Sequence, residues 1–518
     1  MNKNKKILLA IDTCPDNPWM RDRVPAILKS LRGYNYKIID IFEFESKEEA
    51  HKLHRMSQRL IRQKHEILDI NKKFLKRINH FNPDIVVMGT IDNYSRFILP
   101  ETIHEMRKNG KLVVGIFGDD EIHPRKHKIY APLFNVVVSY VKKYSDYYNN
   151  INNVDAFYMP NSCYFHEQDF EKLQNKNDYD VVLFGAPFGI RPVLVKSLIR
   201  AGVNIRVFGS GKWFNYKEIR NYYGGFVDSQ DFDKVIRKSK IVLAPLECPD
   251  GINLHMNTKI WEAVRNGRMP IVTKYDPLVF DYGFREGEEI VFYKNPEDLV
   301  KKTIHYLDRD QERLQVARKI FHTTKDKFDY VKIYSSFFKK LEKMHDDLQK
   351  KNGCMVEYDN LITIIDNTNS NFVNQEGFSY FKYRDIKELI CNFNQISTPY
   401  IIFRTKNFYY SPYLNNLLYE FPEEFKGSMR ILKSSDSYSS NFLGFCDTNL
   451  IVWSKKEFSN FLENKFQKIK IINNFTKTNI ILAEDLCDDS QKFSTPHRCL
   501  FLAKSQNLFK DLIRKISS

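Results

Sequence analysis

One acid, Glu262, stands in a short helical pattern between a polar loop and an apolar strand. The stretch from Asn253 to Tyr275 reads NLHMNTKIWEAVRNGRMPIVTKY, and its apolar residues have helical spacing from Lys259 to Arg265. Gly267 stands where a helix C-cap glycine belongs, so the helix should end there. A carboxylate at such a place in an α/β protein can accept paired hydrogen bonds from sugar hydroxyls. A solvated helix acid is the alternative interpretation.

Three consecutive acids, Asp119, Asp120 and Glu121, follow the apolar run from Lys111 to Phe117. This run predicts a buried strand, and in open α/β sheets ligands collect at the carboxyl ends of strands. Metal binding and general-base catalysis are the two functional interpretations. We predict a catalytic or acceptor-binding role for Asp119 or Asp120. Acids that complement the dipole at a helix N-terminus are the structural alternative.

A glycine-containing turn, GAPFGIRP, follows the apolar run from Asp180 to Phe184. Pro192 is favoured at the first position of a helix, so a helix should begin near it. Backbone amides at a helix start bind phosphate, and Arg191 adds a positive charge beside them. The turn therefore predicts a phosphate-binding place, although many strand-to-helix turns contain glycine.

Apolar runs alternate with helical patterns over the first two thirds of the chain, and the alternation restarts after about residue 160. It predicts parallel sheets with helices on both faces. Two such units in succession make two lobes that face a cleft. The predicted strands are Lys6–Asp12, Tyr36–Phe42, Pro83–Met88, Lys111–Phe117 and Val136–Tyr140, then Asp180–Phe184, Asn204–Gly209 and Ile241–Pro245.

Length and charge limit the function classes. A chain of 518 residues divides into two to four domains, taking about 150 residues for each. The net charge of +16 favours phosphate-bearing partners, but the charge is dispersed, so a nucleic-acid partner is not expected. The eight cysteines have no metal-site spacing, which favours reduced thiols and a cytoplasmic location. We expect neither a signal peptide nor a membrane-spanning helix.

The ordered series of motifs resembles a known family. The series runs PDIVVMGTID, GIFGDDEIHP and VDAFYMPNS in the first half, then FGAPFGIR, VFGSGKW, KIWEAVRNGRMPIVT and GEEIVFYKNPEDL. It is similar to the GT-B glycosyltransferases of the CgeB-like (spore maturation protein) group over about residues 5–345. The resemblance implies two facing Rossmann-like lobes, with residues 1–160 on the acceptor side and 161–350 on the side of a nucleotide-sugar donor.

The resemblance also implies roles for particular residues. Glu262 matches the glutamate that holds the donor ribose, and Lys259 is a candidate phosphate partner. The other residues that match donor-contacting positions are Gly185, Arg191, Gly209, Gly211 and Leu246. Many retaining members have a second glutamate eight positions before the first, where this chain has Leu254. Asn253 or His255 beside it is then a candidate for contact with the donor sugar or its phosphate, and His255 can equally be a loop histidine without a role.

The expected reaction is transfer of a hexose-type sugar from a nucleotide-sugar donor, such as a UDP-sugar, to a cell-surface, spore or phage-related acceptor. The acceptor is a glycan, a protein or another molecule. Cationic side chains and helix-start amides can stabilise the leaving diphosphate, so no metal and no further cofactor are expected. The alternative is a non-catalytic nucleotide- or sugar-binding protein that keeps the two-lobe fold. A polyanion-binding scaffold is a third class, prompted by the charge.

Residues 351–518 begin a new pattern, an additional α/β domain. LITIIDNTNS, a helical stretch and STPYIIFRTKNFYYSP weakly resemble the nucleotide-binding half of a GT-A fold. Where that fold has its metal-binding Asp-x-Asp, this chain reads Phe403-Arg404-Thr405-Lys406-Asn407, without an acid, so a metal site is not expected there. We expect a degenerate, non-catalytic or acceptor-binding domain, and an independent second transferase is the alternative. The last helical pattern, Leu508 to Ile516, predicts either a domain-closing helix or a peripheral contact with an anionic membrane.

Overall fold

The structure is a computed structural model of the 518-residue chain. It describes residues 5–13, 18–40, 64–90, 98, 100–121, 127, 130–150, 154–165, 169–174, 178–228, 231–247 and 256–350, and beyond them seven short strands between 362 and 454. The predicted donor-loop residues Asn253, Leu254 and His255 lie outside the described residues. So do residues 404–407, where the GT-A fold would have its metal-binding acids, and the helix predicted from Leu508 to Ile516.

The first lobe is built on a parallel sheet of six strands in the order β2-β1-β3-β4-β5-β6. These strands are continuous hydrophobic runs because both faces of the sheet are covered, and β4 is buried along its whole length. The strands are β1 Lys6–Ile11, β2 Asn35–Asp40, β3 Ile85–Thr90, β4 Leu112–Phe117, β5 Val136–Ser139 and β6 Asp155–Tyr158.

The second lobe is built on a parallel sheet of five strands in the order β11-β10-β9-β7-β8. Its strands are β7 Tyr179–Gly185, β8 Ile205–Gly209, β9 Ser239–Ala244, β10 Met269–Thr273 and β11 Val291–Tyr293. The predicted strands of both lobes end within two residues of the observed ones. The α/β fold with two Rossmann-like lobes of GT-B type is therefore confirmed.

Strand order reverses once in each sheet, between β1 and β3 in the first and between β7 and β9 in the second. At such a switch point the loops leave the carboxyl ends of neighbouring strands in opposite directions and open a crevice. The loop after β7 and the loop after β9 therefore form the expected ligand position of the second lobe.

The helices occupy the connections between strands. The described ones are α1 Pro18–Arg21, α2 Arg23–Ser30, α3 Lys64–Phe81, α4 Pro100–Lys108, α5 Lys142–Tyr148, α6 Arg191–Arg200, α7 Phe232–Arg237, α8 Lys259–Arg265, α9 Asp276–Phe280, α10 Pro296–Asp308, α11 Asp310–Lys327 and α12 Tyr330–Lys350. None of the helices within these described ranges combines the length and the apolar character needed to cross a membrane.

Helix α12 follows the second lobe in sequence but packs on the first. Tyr334, Phe338 and Leu341 on its apolar face belong to the same core as β1, β3, β4 and β5. The Ser30 hydroxyl at the end of α2 donates to the Val331 carbonyl at 3.0 Å. The first core is thus completed by residues near the end of the two-lobe region.

A buried arginine, Arg23, ties α2 to this crossing helix. Its guanidinium donates to Asn161 Oδ1 at 2.7 Å and to the Tyr330 hydroxyl at 3.3 Å, and it lies 4.4 Å from the Tyr140 ring centroid. A buried cation needs such partners, because an unpaired one is strongly destabilising.

A third sheet of five short strands has the order β13-β12-β14-β18-β16. β12 pairs in parallel with β13 and β14, whereas β18 is antiparallel to β14 and β16. Its strands are β12 Ile362–Asp366, β13 Ser379–Lys382, β14 Tyr400–Phe403, β16 Arg430–Leu432 and β18 Leu450–Ser454. The strands β15 Phe408–Tyr410 and β17 Gly444–Cys446 form a separate antiparallel pair. The GT-A-like interpretation of residues 351–518 stays a prediction.

Contacts divide the chain into two compact units. The first contains residues 1–58, 77–94 and 109–353, and so holds both Rossmann-like sheets. The second contains residues 59–76, 95–108 and 354–518. Within the second unit, the Thr102 hydroxyl donates to Asn71 Oδ1 at 2.6 Å.

Candidate functional site

Two glycines end neighbouring strands of the second lobe, Gly185 on β7 and Gly209 on β8, with φ angles of +126° and +118°. A Cβ atom on Gly209 would lie 2.7 Å from the Gly185 carbonyl oxygen, closer than real Cβ contacts come. The Trp213 indole N–H donates to the same carbonyl at 2.8 Å. Glycine is therefore required at Gly209 for both its conformation and its close approach to β7.

Gly209→Ala should destabilise the second lobe by about 2–4 kcal/mol, because a left-handed backbone and an overpacked contact both disfavour a side chain there. Gly202→Ala is the matched control, since Gly202 also has a positive φ, +76°, but no atom lies within 4 Å of the Cβ position. Chemical denaturation of both variants separates the two effects. Equal losses of unfolding free energy would show that the contact with Gly185 is unimportant.

Arg191 spans the switch point of the second sheet. Its guanidinium donates to the Ala186 carbonyl at 3.2 Å, after β7, and to the Pro245 carbonyl at 3.3 Å, after β9. It also lies 4.5 Å from the Phe188 ring centroid. The side chain is nearly buried at the first residue of α6, so its positive charge lies in the crevice at the start of that helix.

Helix α8 has the bounds predicted from sequence, Lys259–Arg265, and its ends explain them. At the start, the Lys259 N–H donates to Asn257 Oδ1 at 3.0 Å. At the end, Gly267 has a φ of +66°; its N–H donates to the Val264 carbonyl and the Arg268 N–H to the Ala263 carbonyl. This is a Schellman motif, so the predicted role of Gly267 is confirmed.

Glu262 on α8 is buried rather than solvated, with 3% of its surface exposed. Lys259 Nζ lies 3.3 Å from its carboxylate, and the Arg21 guanidinium of the first lobe lies 3.9 Å away. Both cations also lie over the Phe232 ring, at 4.7 Å for Lys259 and 5.5 Å for Arg21. The carboxylate is thus held in a cationic, partly aromatic setting where the two lobes meet.

A second group of charges joins the lobes next to Glu262. Arg265 pairs with Asp22 of the first lobe and, at 2.5 Å, with Asp233 of α7. Asn266 Nδ2 donates to the same Asp233 oxygen at 2.8 Å. Burial opposes ionisation of Asp233, but Arg265 and Arg21 outweigh it and lower the pKa of that carboxyl. We call Asp22, Asp233 and Arg265 the interlobe ion cluster.

Asp120 is fully buried at the carboxyl end of β4, with an exposed fraction of 0%. Its carboxylate contacts His127 Nδ1 at 2.8 Å and accepts hydrogen bonds from the Tyr148 hydroxyl at 2.5 Å and from the Ser139 hydroxyl. These groups come from β5, α5 and the following loop region. The arrangement is that of an anchor that holds the strand-end loop in place.

The two neighbours of Asp120 in the sequence, Asp119 and Glu121, have different surroundings. Asp119 has a φ of +53°, a left-handed conformation that non-glycine residues seldom adopt. Glu121 is nearly buried, and the Tyr275 hydroxyl, which follows β10 of the second lobe, donates to its carboxylate at 3.3 Å. Burial raises the pKa of Glu121 to about 7, and the charges of Asp120 and Asp119 add to the increase.

The remaining predicted donor residues lie at the same edge of the second sheet. Leu246 is fully buried, and its N–H donates to the Thr273 hydroxyl at 3.1 Å, so only its backbone is placed to contact a ligand. Gly211 begins a short 3₁₀ turn and has open space at its Cβ position. The roles of these residues in donor binding stay predictions, as does that of Asp119.

Three residues at the site escaped the sequence interpretation: Arg21, Tyr275 and Glu247. Glu247 Oε1 accepts a hydrogen bond from the Thr273 hydroxyl at 3.0 Å, directly after β9. Its position directly after an apolar run could have indicated a residue at the carboxyl end of a strand. Arg21 and Tyr275 gave none, because their importance comes from contacts with the opposite lobe.

Residues 191–338 match the family model described as "Glycosyl transferase-like". This stretch, which makes up most of the second lobe, is similar to that family. The match covers less than a third of the chain and begins at Arg191, at the switch point of the second sheet. No match was found among curated proteins.

Solved structures with a similar course include a glycosyltransferase from Rickettsia africae, at 15% identity, covering 67% of this chain and 99% of that one, with a TM-score of 0.48. Anabaena HepE in complex with UDP and glucose has 13% identity, coverage of 65% and 99%, and a TM-score of 0.45. Sucrose-phosphate synthase from Thermosynechococcus elongatus has 10% identity, coverage of 66% and 100%, and a TM-score of 0.46. The fold assignment rests on the sheet topology of this chain.

Proposed function

We propose that the protein is a glycosyltransferase that moves a sugar from a nucleotide-sugar donor to an acceptor, in the manner of the CgeB-like group. The observation that carries the proposal is the combination of Arg191 at the switch point with Glu262 and Lys259 on α8. Both positions lie at the carboxyl edge of one glycosyltransferase-like lobe. The first lobe closes the other side through Arg21.

The proposed donor contacts follow from charge and geometry. The Arg191 guanidinium at the start of α6 is suited to the diphosphate, whose charge increases as the glycosidic bond breaks. Lys259 is suited to the same group. Its ammonium group has three N–H donors, and the contact with Glu262 at 3.3 Å leaves donors for a phosphate oxygen. With these cations present, we propose transfer without a metal ion.

Glu262 is the proposed ribose partner. A buried carboxylate that is oriented by neighbouring cations can accept both hydroxyl hydrogens of a ribose. Its burial is consistent with this role, since hydrogen bonds to a charged group contribute about 1.5–3 kcal/mol each.

Glu262→Ala should weaken the affinity for UDP by at least about tenfold and leave the affinity for inorganic pyrophosphate nearly unchanged. The difference arises because the lost hydrogen bonds go to the ribose, whereas Arg191 and Lys259 still contact the phosphates. Isothermal titration calorimetry on wild type and variant measures both affinities. Glu297→Ala, at an exposed acid on α10 of the same lobe, is the control. Equal UDP affinity in Glu262→Ala and wild type would remove Glu262 from the donor site.

The alternative, a binding protein without transferase activity, is distinguished by donor hydrolysis. A transferase releases the nucleoside diphosphate slowly when water replaces the acceptor, whereas a binding protein leaves the nucleotide sugar intact. Incubation with a panel of UDP-sugars, followed by measurement of free UDP, decides between the two.

A further inference from the structure

The three consecutive acids after β4 have the same charge and nearly the same sequence position, yet the fold gives each a different place. Asp120 points into the first lobe, where His127, Tyr148 and Ser139 surround its carboxylate. A carboxylate closed off in this way cannot approach a substrate without breaking its anchor. Asp120 therefore fixes the loop rather than reacting.

Asp119 lies between β4 and this anchor in a left-handed conformation, with a φ of +53°. Such a residue reverses the local direction of the chain at a cost of about 1–3 kcal/mol, and it persists only where neighbouring contacts enforce it. Here the Asp120 anchor on one side and the buried strand on the other supply that enforcement. The backbone therefore turns between β4 and Glu121.

Glu121 lies where the strand ends of the two lobes meet. Its partner Tyr275 follows β10, whose last residue, Thr273, belongs to the carboxyl edge that also carries Glu247. Glu121 follows β4 at the corresponding edge of the first sheet. It thus faces the donor-side edge from the opposite lobe, which is where an acceptor hydroxyl must lie to reach the donor sugar.

We propose that Glu121 is the general base that takes the proton from the acceptor hydroxyl during sugar transfer. This assignment rests on the proposed glycosyltransferase function and names a residue for its central step. It replaces Asp120, which the structure uses as an anchor, as the candidate base of this loop.

The step balances without a co-reactant. The acceptor oxygen forms a bond to the anomeric carbon of the donor sugar as its proton moves to the Glu121 carboxylate. The bond between that carbon and the phosphate oxygen breaks, and its electron pair leaves with the nucleoside diphosphate. With water as acceptor, the products are the free sugar and the nucleoside diphosphate.

The surroundings of Glu121 suit a base that works near neutral pH. Among the residues that the structure describes, the groups that act on it include Asp119 and Asp120 from its own loop and the Tyr275 hydroxyl from the second lobe. Burial is the main cause of its raised pKa, to about 7, and the two aspartates act in the same direction. A base with a pKa near the working pH is both available as carboxylate and strong enough to draw a proton. Tyr275 orients the carboxylate through its hydrogen bond.

The test uses the full chain with UDP and a panel of UDP-glucose, UDP-galactose and UDP-N-acetylglucosamine. Glu121→Gln should bind UDP with the wild-type affinity but release UDP from the donor about 100-fold more slowly. Wild-type release should increase with pH through about 7 and then level off, because the carboxylate form does so. The variant should lose this increase. Glu297→Gln serves as the control and should keep both rate and profile.

Each other outcome overturns a different statement. Unchanged release and an unchanged pH profile in Glu121→Gln would overturn the base assignment and leave the proposed transferase intact. Loss of UDP binding in that variant would place Glu121 in donor binding or in folding, which also overturns the assignment. Absence of UDP binding and of UDP release in wild type would overturn the proposed function, and the base with it.

Discussion

Arg265→Met should lower the free energy of unfolding by about 3–5 kcal/mol, the typical cost of removing one partner from a buried charge pair. The Arg265 side chain is 4% exposed and contacts Asp22 of the first lobe and Asp233 of the second. Methionine keeps most of the volume but leaves both carboxylates facing each other without the intervening cation. Urea denaturation followed by tryptophan fluorescence measures the loss, because Trp213 and Trp261 are buried in the second core.

Arg318→Met is the control for the loss of a paired arginine. Arg318 contacts Glu171 at 2.8 Å, but both side chains are more than half exposed, so the change should cost about 0–1 kcal/mol. Adding Asp22→Asn to Arg265→Met should recover part of the loss, since it removes one uncompensated charge. If Arg265→Met and Arg318→Met cost the same, the interlobe ion cluster does not hold the lobes together.

Glu121→Gln should stabilise the protein at pH 8 by about 3 kcal/mol and should have little effect at pH 4.5. The pKa of Glu121 in the folded protein is about 7, against an ordinary value of 4.5 for a glutamate, and each pKa unit corresponds to about 1.4 kcal/mol. Between pH 4.5 and pH 7 the folded chain binds more protons than the unfolded one, so wild type loses stability as the pH increases through this range. Glutamine does not titrate and therefore escapes this loss.

The measurement is the difference in melting temperature between Glu121→Gln and wild type at several pH values, which should widen from pH 4.5 to 7 and then stay constant. Glu218→Gln is the control with a flat profile over this range. Hydrogen bonds from Lys196 and Arg200 lower the pKa of the exposed Glu218 below its ordinary value of 4.5, so its stabilising contribution is complete above that pH and is lost only as the pH decreases further. A pH-independent difference for Glu121→Gln would show that this carboxyl is not desolvated. The result is independent of any enzymatic activity.

The sequence predicted the strands well because burial on both faces of a parallel sheet produces continuous apolar runs. The bounds of α8 were also predictable, since Gly267 and the apolar spacing before it are local signals. Between β1 and β2 the chain forms two helices, α1 and α2, with Asp22 between them. Nothing local announces that break, because Asp22 is placed by its pairing with Arg265, which is 243 residues away.

The candidate site was predictable as a region but not in its detail. Glu262 and Arg191 were predictable because each stands in or beside a short helical pattern that follows a strand-end loop. The three acids after β4 could not be ranked from sequence, because their difference lies in burial and partners, such as the contact of Asp120 with His127. Contacts between residues far apart in the sequence determine this burial and these partners, and a single sequence does not show which distant residues will meet.

The crossing helix α12 determines the order in which the chain can fold during synthesis. Tyr334, Phe338 and Leu341 complete the core around β1 and β3, so a ribosome that has released only the first six strands presents a half-built hydrophobic surface. That surface is covered only after about residue 350 has emerged, by which time the second lobe has also left the exit tunnel. The lobe that is translated first is therefore finished last, and a nascent chain halted between the lobes exposes the apolar surface that α12 covers.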